Sequence, residues 1–462
     1  MSARGQPLIV GAGPAGVRAA ETLAKAGLKP RVVDEAPACG GQIYRQRLVE
    51  DGRSATSLYG SEAAKATRLH RDFAALASKL DYWPNALVWN LSDGVADVAV
   101  NRENRRLAYD GLILATGAMD RVLPLPGWTL PGVFTLGGAQ IALKAQACAI
   151  GEKVVFAGSG PLLYLVAWQY LRAGVDVRAV LDAAPSAARI NLLRAALQAP
   201  DIVARGLRFA AELRLRGTTL RSAVSDIRIE GDTRVAGVSW EERGRRCQLS
   251  CDAVGYGLGL RPETQLADLA GCEMRFDARD RAFLPIRLWG GRSSVSGVYL
   301  AGDGAGIVGA DAAELSGERA ALALIEDRGL VCDHVRAAAI DRRLSKISRL
   351  RDALEAAFPF PTAWAREIGD QTLICRCEEI DAGTMRRAIR DFDLSELNRV
   401  KAITRIGMGR CQGRVCAAAA AELLALEAGR GVDSVGRLRA QAPVKPLPLM
   451  LRAAQGKSEA AE

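Results

Sequence analysis

The sequence predicts an α/β protein built on parallel sheet, with a small helical domain toward its C-terminal end. Three observations carry this. Two stretches, starting near Leu8 and Lys153, each read as strand, glycine-rich turn, helix and strand. Two further apolar strands, in DGLILATGA and GVYLAGDGAG, end in glycine turns of their own. Four cysteines stand in two close pairs within a C-terminal stretch of helical patterning.

The first unit runs from Leu8–Val10 through Gly11, Gly13 and Gly16 into the helical pattern VRAAETLAKAG, which ends at Gly27, and then into the strand at 31–33. GAGPAG, with Pro14 and Ala15 inside it, fits G-x-G-x-x-G, and Asp34 follows Gly16 by 18 residues at the end of the second strand. Gly11 allows the tight turn, Gly13 lets the backbone approach a pyrophosphate, and Gly16 lets helix and strand pack closely. The free N–H groups of the helix start face that phosphate. The acid at the strand end accepts from ribose hydroxyls, through Asp34 or through its neighbour Glu35. Strand, turn, helix and acid together indicate dinucleotide binding over a plain tight turn.

DGLILATGA is a buried strand delivering Thr116-Gly117. The second unit has the strand KVVFA, the turn Gly158-Ser159-Gly160, a helix through Ala173 and a strand leading to Asp182. Leu163 takes the place of the third glycine, so helix and strand sit further apart. No basic residue close behind Asp182 suggests a 2′-phosphate site, so NADP is disfavoured, and a working NAD site and a decayed one both stay open. GVYLAGDGAG delivers Gly302-Asp303-Gly304 and leads into the helix ADAAELSGERAALAL; Asp303 either binds polyol hydroxyls or caps that helix.

The helical stretch IDRRLSKISRLRDALEAAF is ended by Pro359 and Pro361. Cys375-Arg-Cys377, then 33 residues, then Cys411 and Cys416 around QGRV supply four thiolates in two pairs. That stoichiometry suits a [2Fe–2S] cluster or a structural zinc. The tight C-x-C bite favours two bridged irons, each offering corners to one pair. Gly407, Gly409 and Gly413 let backbone N–H groups approach the sulfurs. In the tail QAPVKPLPL, Pro443, Pro446 and Pro448 favour an extended conformation, and Leu449, Met450 and Leu451 suggest docking on a surface. The final QGKSEAAE is expected to be disordered.

Composition excludes several classes. The chain has 462 residues, 49% hydrophobic and 25% charged, which is globular, and room for about three domains. Two histidines against ten cysteines nearly rule out a Ser-His-Asp or histidine-rich zinc enzyme; His70 and His334 are expected at the surface. The net charge of +10 is spread along the chain without a nucleic-acid-reading motif, so nucleic acid is not an expected partner. The start runs from Ser2 straight into PLIV with no secretory signal, and no apolar run approaches ~20 residues, so a cytoplasmic protein without a transmembrane helix is expected.

GAGPAG, LILATG and YLAGDGAG, with a second glycine turn between, resemble the two-dinucleotide-domain flavoproteins of the glutathione and thioredoxin reductase class, over residues 6 to 325. The resemblance implies FAD, held at Gly11, Gly13, Pro14, Ala15, Gly16, Asp34, Glu35, Gly41, Gln42, Thr116, Gly117, Gly302 and Asp303. It departs in the redox cysteines: Cys39 stands alone before Gly40-Gly41-Gln42, and Cys148 has no close partner, so disulfide reduction is not expected. The C-terminal segment resembles the bacterioferritin-associated-ferredoxin-like [2Fe–2S] domain, which implies Cys375, Cys377, Cys411 and Cys416 as ligands. With DEAPACGGQIYR, the run from LILATGAMD to TLGGAQ, and TRIGMGRCQGRVC, the chain resembles the flavoprotein alpha subunits of heteromeric amine and amino-acid dehydrogenases, the family of the octopine and nopaline oxidases, D-hydroxyproline dehydrogenase and hydrogen cyanide synthase.

The family implies an electron-transfer subunit of a complex that oxidises the C–N bond of an amino acid or opine-type amine, with the substrate on a second flavoprotein of the D-amino-acid-oxidase type. It allows for FMN at the contact between the two, for a small ferredoxin-like subunit, and for membrane attachment only through the complex. Two other readings stay open: a self-sufficient NAD(P)H-dependent flavin reductase feeding its own cluster, and an assembly subunit with structural cofactors. The expected division is an FAD domain at 1–125 and 292–330, a second nucleotide-fold domain at 126–291, a helical linker at 331–370, the [2Fe–2S] domain at 371–428 and a tail at 429–462.

Overall fold

The computed structural model describes residues 5–48, 52–449 and 451–453. The triplets Leu8–Val10, Leu112–Leu114 and Val298–Leu300 are apolar and buried throughout, as parallel strands covered on both faces must be. With Arg31–Val33 and Asp81–Trp83 they form a five-stranded parallel sheet, in the order Val298–Leu300, Leu112–Leu114, Leu8–Val10, Arg31–Val33, Asp81–Trp83. Val10 and Leu300 both stand opposite Leu114. The three glycine turns that follow these strands therefore leave the sheet level with one another, at its carboxyl edge.

A second five-stranded parallel sheet orders Thr219–Ser222, Asp176–Asp182, Lys153–Ser159, Ala253–Leu258 and Val133–Thr135. The two chain crossings between the sheets, Ala118–Asp120 and Leu260–Pro262, pair antiparallel. Placing Val298–Leu300 beside Leu112–Leu114 closes the first sheet across the whole intervening sequence, so two separate pieces of the chain build it.

The basic stretch expected as a linker is a packed helix, His334–Ala357. Ala337, Ile340, Leu344 and Ile347 recur at helical spacing and meet Leu315 and Leu322 of the helix Ala310–Asp327. Arg319, buried in that helix, donates to Asp341 at 3.0 Å. The C-terminal unit has a hairpin, Leu373–Cys375 with Ile380–Asp381, and helices Ala382–Asp391, Leu397–Thr404 and Ala417–Glu427. Its core, with Ile374, Met385, Val400 and Leu423, is continuous with Trp128, Val155 and Tyr256 beside the second sheet. Two indoles clamp the junction: Trp128 Nε1 donates to the Leu373 carbonyl and Trp364 Nε1 to the Pro124 carbonyl, both at 2.8 Å.

The tail is docked. Val444 is buried, its N–H reaching the Trp89 carbonyl at 3.1 Å, and Arg452–Ala453 adds a parallel strand beside Glu103–Ala108. The expectations for Met450 and for residues 455–462 lie outside the described residues. His70 corrects the expectation of a surface histidine: it is half-buried, and its Nε2 lies 2.8 Å from the Tyr44 carbonyl, bracing the 40–44 loop. The helical pattern of RLHRDF turns it inward onto that loop. His334 is exposed. No helix among the described residues is long and apolar enough to cross a membrane.

Candidate functional site: a glycine cradle and a row of four thiols

At the carboxyl edge of the first sheet, Gly11 takes φ +104°, and a Cβ there would overlap the Ala115 carbonyl. A Cβ on Gly16 would overlap Gly11 O, so the helix Pro14–Lys25 approaches its strand only because position 16 is glycine. That helix starts at Gly13 with Pro14 in its first turn, no side-chain cap and no acidic residue in that turn. Its first amides are thus available to an anion. The loop carrying Gly41 and Gln42 lies over this turn: Gly41 has φ +61°, and a Cβ there would come 2.9 Å from Gly13 Cα. Gln42 is exposed at the mouth.

The two acids after the second strand diverge. Asp34 turns inward and accepts from Ala12 N and, at 2.6 Å, from Ala36 N, which ties the strand end to the glycine turn; burial pushes its carboxyl upward. Glu35 turns outward and pairs with Lys445 of the docked tail. The second and third turns abut. A Cβ on Gly304 would overlap Thr116 Oγ1 and come 3.4 Å from Gly117 N, and one on Gly302 would come 2.9 Å from Ala15 Cβ. Gly302 N donates to Ser316 Oγ at 2.7 Å. Asp303 is half-buried, with its carboxyl raised by desolvation, and accepts from Val308 N at 2.8 Å and Gly309 N at 3.0 Å. Gly11, Gly13, Pro14, Ala15, Gly16, Asp34, Gly41, Thr116, Gly117, Gly302 and Asp303 thus line one cradle of glycines and amides, a shape that takes a dinucleotide. A cavity of about 530 Å³ lined by Pro7, Arg31 and Asp81 lies at the amino ends of these strands, the wrong edge for such a ligand.

Sequence reasoning passed over Lys144. Its ammonium, at the end of the helix Leu136–Ala145, is buried and donates to the Ile43 carbonyl at 3.2 Å; burial pushes it down to about 8. Cys39 is buried, accepts from Gln46, and has its thiol pushed up to about 11, which makes it a poor nucleophile.

At the second glycine turn, Asp182 is fully buried. It accepts from Ala184 N at 2.8 Å, from Tyr164 Oη at 2.8 Å and from Arg189 Nη2 at 2.6 Å. Arg189 is the basic residue the sequence reading did not find behind Asp182. It folds back onto the acid and, with Tyr164, saturates Oδ2, so a ribose would have to compete for the acid.

The four cluster cysteines come together from the hairpin and from the loop before Ala417–Glu427. Side-chain contacts link them as Cys377, Cys411, Cys416 and Cys375 in a row. Among the described residues, no three metal-ligating side chains close around a single point. The Cys416 thiol donates to Cys375 and Cys411 and is itself raised. That donation, then the N–H groups of Gly407, Glu378 and Cys377, lowers Cys375 to about 6; the same thiol, with Val415 and Gly413 N–H, lowers Cys411 to about 5. Gly409 is needed where it stands, since a Cβ there would overlap Cys377 Cβ.

Comparison with known proteins agrees with this geometry. Residues 6–324 match the family described as pyridine nucleotide-disulphide oxidoreductase, and residues 373–425 match the BFD-like [2Fe-2S] binding domain. The opine oxidase A-type subunit of Rhizobium meliloti is 39% identical over 96% of this chain and 86% of the relative. Hydrogen cyanide synthase subunit HcnB of Pseudomonas protegens is 33% identical over 96% of each. Among solved structures, L-proline dehydrogenase from P. horikoshii superposes with TM-score 0.74 at 19% identity, covering 98% of this chain and 80% of that one. Thioredoxin reductase from T. acidophilum superposes with TM-score 0.52 at 22% identity, over 70% of this chain and 99% of that one. A flavin-binding fold of the disulphide-oxidoreductase kind, joined to a BFD-like cluster domain and related end to end to these relatives, makes this chain a member of the family of oxidoreductase subunits that includes those of opine oxidase and HcnB of hydrogen cyanide synthase.

Proposed function

We propose that this chain is the FAD- and [2Fe–2S]-carrying electron-transfer subunit of a complex that oxidises the C–N bond of an amino acid or opine-type secondary amine. The observation that carries the reading is the pairing, on one chain, of an uncapped glycine cradle with a row of four contacting thiols. The family membership, and the opine oxidase and hydrogen cyanide synthase named among the relatives, support the class of substrate. Bound flavin takes up an electron pair and a bound cluster carries electrons singly, which is the chemistry such a relay needs.

The residues divide the work. Gly13, Ala15 and Gly16 would present amides to the pyrophosphate, Asp34, with Glu35 at the outer rim, would face the ribose, and Asp303, with Gly302, would face the ribityl chain. Gly41, Gln42, Thr116 and Gly117 would line the cradle. Cys375, Cys377, Cys411 and Cys416 would ligate the irons. Substrate oxidation falls to a partner flavoprotein of the D-amino-acid-oxidase type, and FMN at that contact is assigned to no residue of this chain. The domain division expected above accompanies the proposal, with 331–370 as a packed helical layer.

The test starts with the purified protein. Flavin absorbance bands and acid-labile sulfide are expected together, and absence of both sinks the proposal. Rapid bleaching of the flavin by NADH or NADPH would favour a self-sufficient reductase; the occupied Asp182 argues for no bleaching. Cys375→Ser and Cys411→Ser should remove the cluster and stop turnover of the reconstituted complex. Unimpaired turnover would point to a structural cluster.

A further inference from the structure

The segment at 260–265, where the chain crosses back toward the first sheet, touches both candidate cofactor sites. On one side the Glu263 backbone holds the Thr116–Gly117 turn: its N–H donates to Gly117 O at 2.9 Å, and its carbonyl accepts from Thr116 Oγ1 at 2.6 Å. On the other side its carboxylate accepts from Arg414 Nε at 2.6 Å, with only 12% and 9% of the two side chains exposed. Arg414 lies between Cys411 and Cys416. Its guanidinium also donates to Val444 O of the tail. Gln265 Nε2 reaches the Gln412 carbonyl at 2.7 Å, and Arg261 Nη1 the Arg414 carbonyl at 3.2 Å.

Glu263 is thus the residue that is bonded to both sites at once, by backbone to one and by side chain to the other. A buried ion pair at a domain junction adds little net stability, because desolvation offsets its attraction, but it specifies geometry. We infer that Glu263 is a positioning residue: it clamps the cluster-ligand loop 411–416 onto the flavin-site turn and so sets the separation of the two redox sites. This rests on the proposed function above, since it presumes that both cofactors bind. Substituting Glu263 leaves the backbone bonds to Thr116 and Gly117 in place and removes the link to Arg414, together with the local bond its Oε1 accepts from Gln265 N at 3.1 Å.

The experiment uses the full chain loaded with FAD and cluster, as wild type, E263Q and E263A. Flavin and iron per chain are measured first. Flash photoreduction, with a deazaflavin and EDTA as electron source, then times the arrival of an electron at the cluster. In E263A arrival should slow by roughly 10-fold or more, as for other displaced reacting groups. Hydrogen exchange across 407–416 should rise, and rates are compared at matched driving force, because losing the Glu263 charge beside Arg414 shifts the cluster potential. E263Q, which keeps an acceptor for Arg414, should fall between. An E263A arrival rate equal to wild type, with both cofactors loaded, overturns the inference and leaves the proposed function standing. A wild-type chain that binds only one cofactor overturns the proposed function instead. If E263A does not fold, E263Q decides: unchanged rate and unchanged exchange in that variant also overturn the inference.

Discussion

Lys144 offers the sharpest energetic test of how the flavin-side helix is built. Lys144 is 3% exposed, its ammonium donates to the Ile43 carbonyl, and burial lowers it from 10.5 to about 8. At ~1.4 kcal/mol per pH unit, holding it charged at pH 7 costs the fold about 3 kcal/mol. The sign follows from proton counts. Between pH 8 and 10.5 the unfolded chain binds the proton and the folded chain does not, so stability rises with pH across that window and is flat below it. Lys144→Met removes the charge at every pH, keeps most of the volume, and gives up one hydrogen bond worth ~1 kcal/mol. The variant should therefore be more stable by about 2 kcal/mol at pH 7, with the advantage gone near pH 10. The assay is urea unfolding of the flavin-loaded protein at pH 7 and 9, followed by flavin fluorescence. The transition that releases flavin is compared between the two proteins, because a chain of several domains has no single unfolding free energy. A variant that is less stable at pH 7, or that loses flavin, would refute the reasoning and mean that the ammonium is compensated by a bound anion.

Two further outcomes follow from the cluster unit. Gly409→Ala forces a methyl group against Cys377 Cβ, an overpacking of ~1–3 kcal/mol at a proposed ligand, so iron per chain should fall while flavin content holds; both are read from absorbance and iron assay. Trp364→Phe leaves the Pro124 carbonyl without its indole donor at ~1–3 kcal/mol, and Trp364→Ala adds a cavity for a total of ~3–5 kcal/mol. Limited proteolysis between residues 358 and 372 should be faster in both variants, most in the alanine one, and equal rates would show that the indole does not anchor the junction.

Much of this protein was legible in its sequence because the relevant physics is local. Gly11, Gly16, Gly41 and Gly302 carry information at single positions, since each sits where a Cβ would strike the backbone or a neighbouring side chain, and the pairs Cys375-Cys377 and Cys411-Cys416 set the thiol count. Strand and helix periods placed Leu8–Val10, Lys153–Ser159 and Ala310–Asp327 close to where they fold. Other features depend on partners far away in sequence. Asp34 and Glu35 are adjacent acids, yet one faces the glycine turn and the other meets Lys445, which only the docked tail can decide. Asp182 reads as a ribose acid until Arg189 and Tyr164 close on it. His70 reads as a surface residue until the Tyr44 carbonyl folds over it.

By itself, then, the sequence determined the parallel α/β class, the two glycine turns and the two cysteine pairs, because steric exclusion at a glycine and the spacing of thiols act within a few residues. Only the tertiary structure decided that the cluster unit shares a core with the second sheet, and that Glu263 joins Thr116 to Arg414. Burial and ion pairing act through space, and no periodicity along the chain records which distant side chain will complete them.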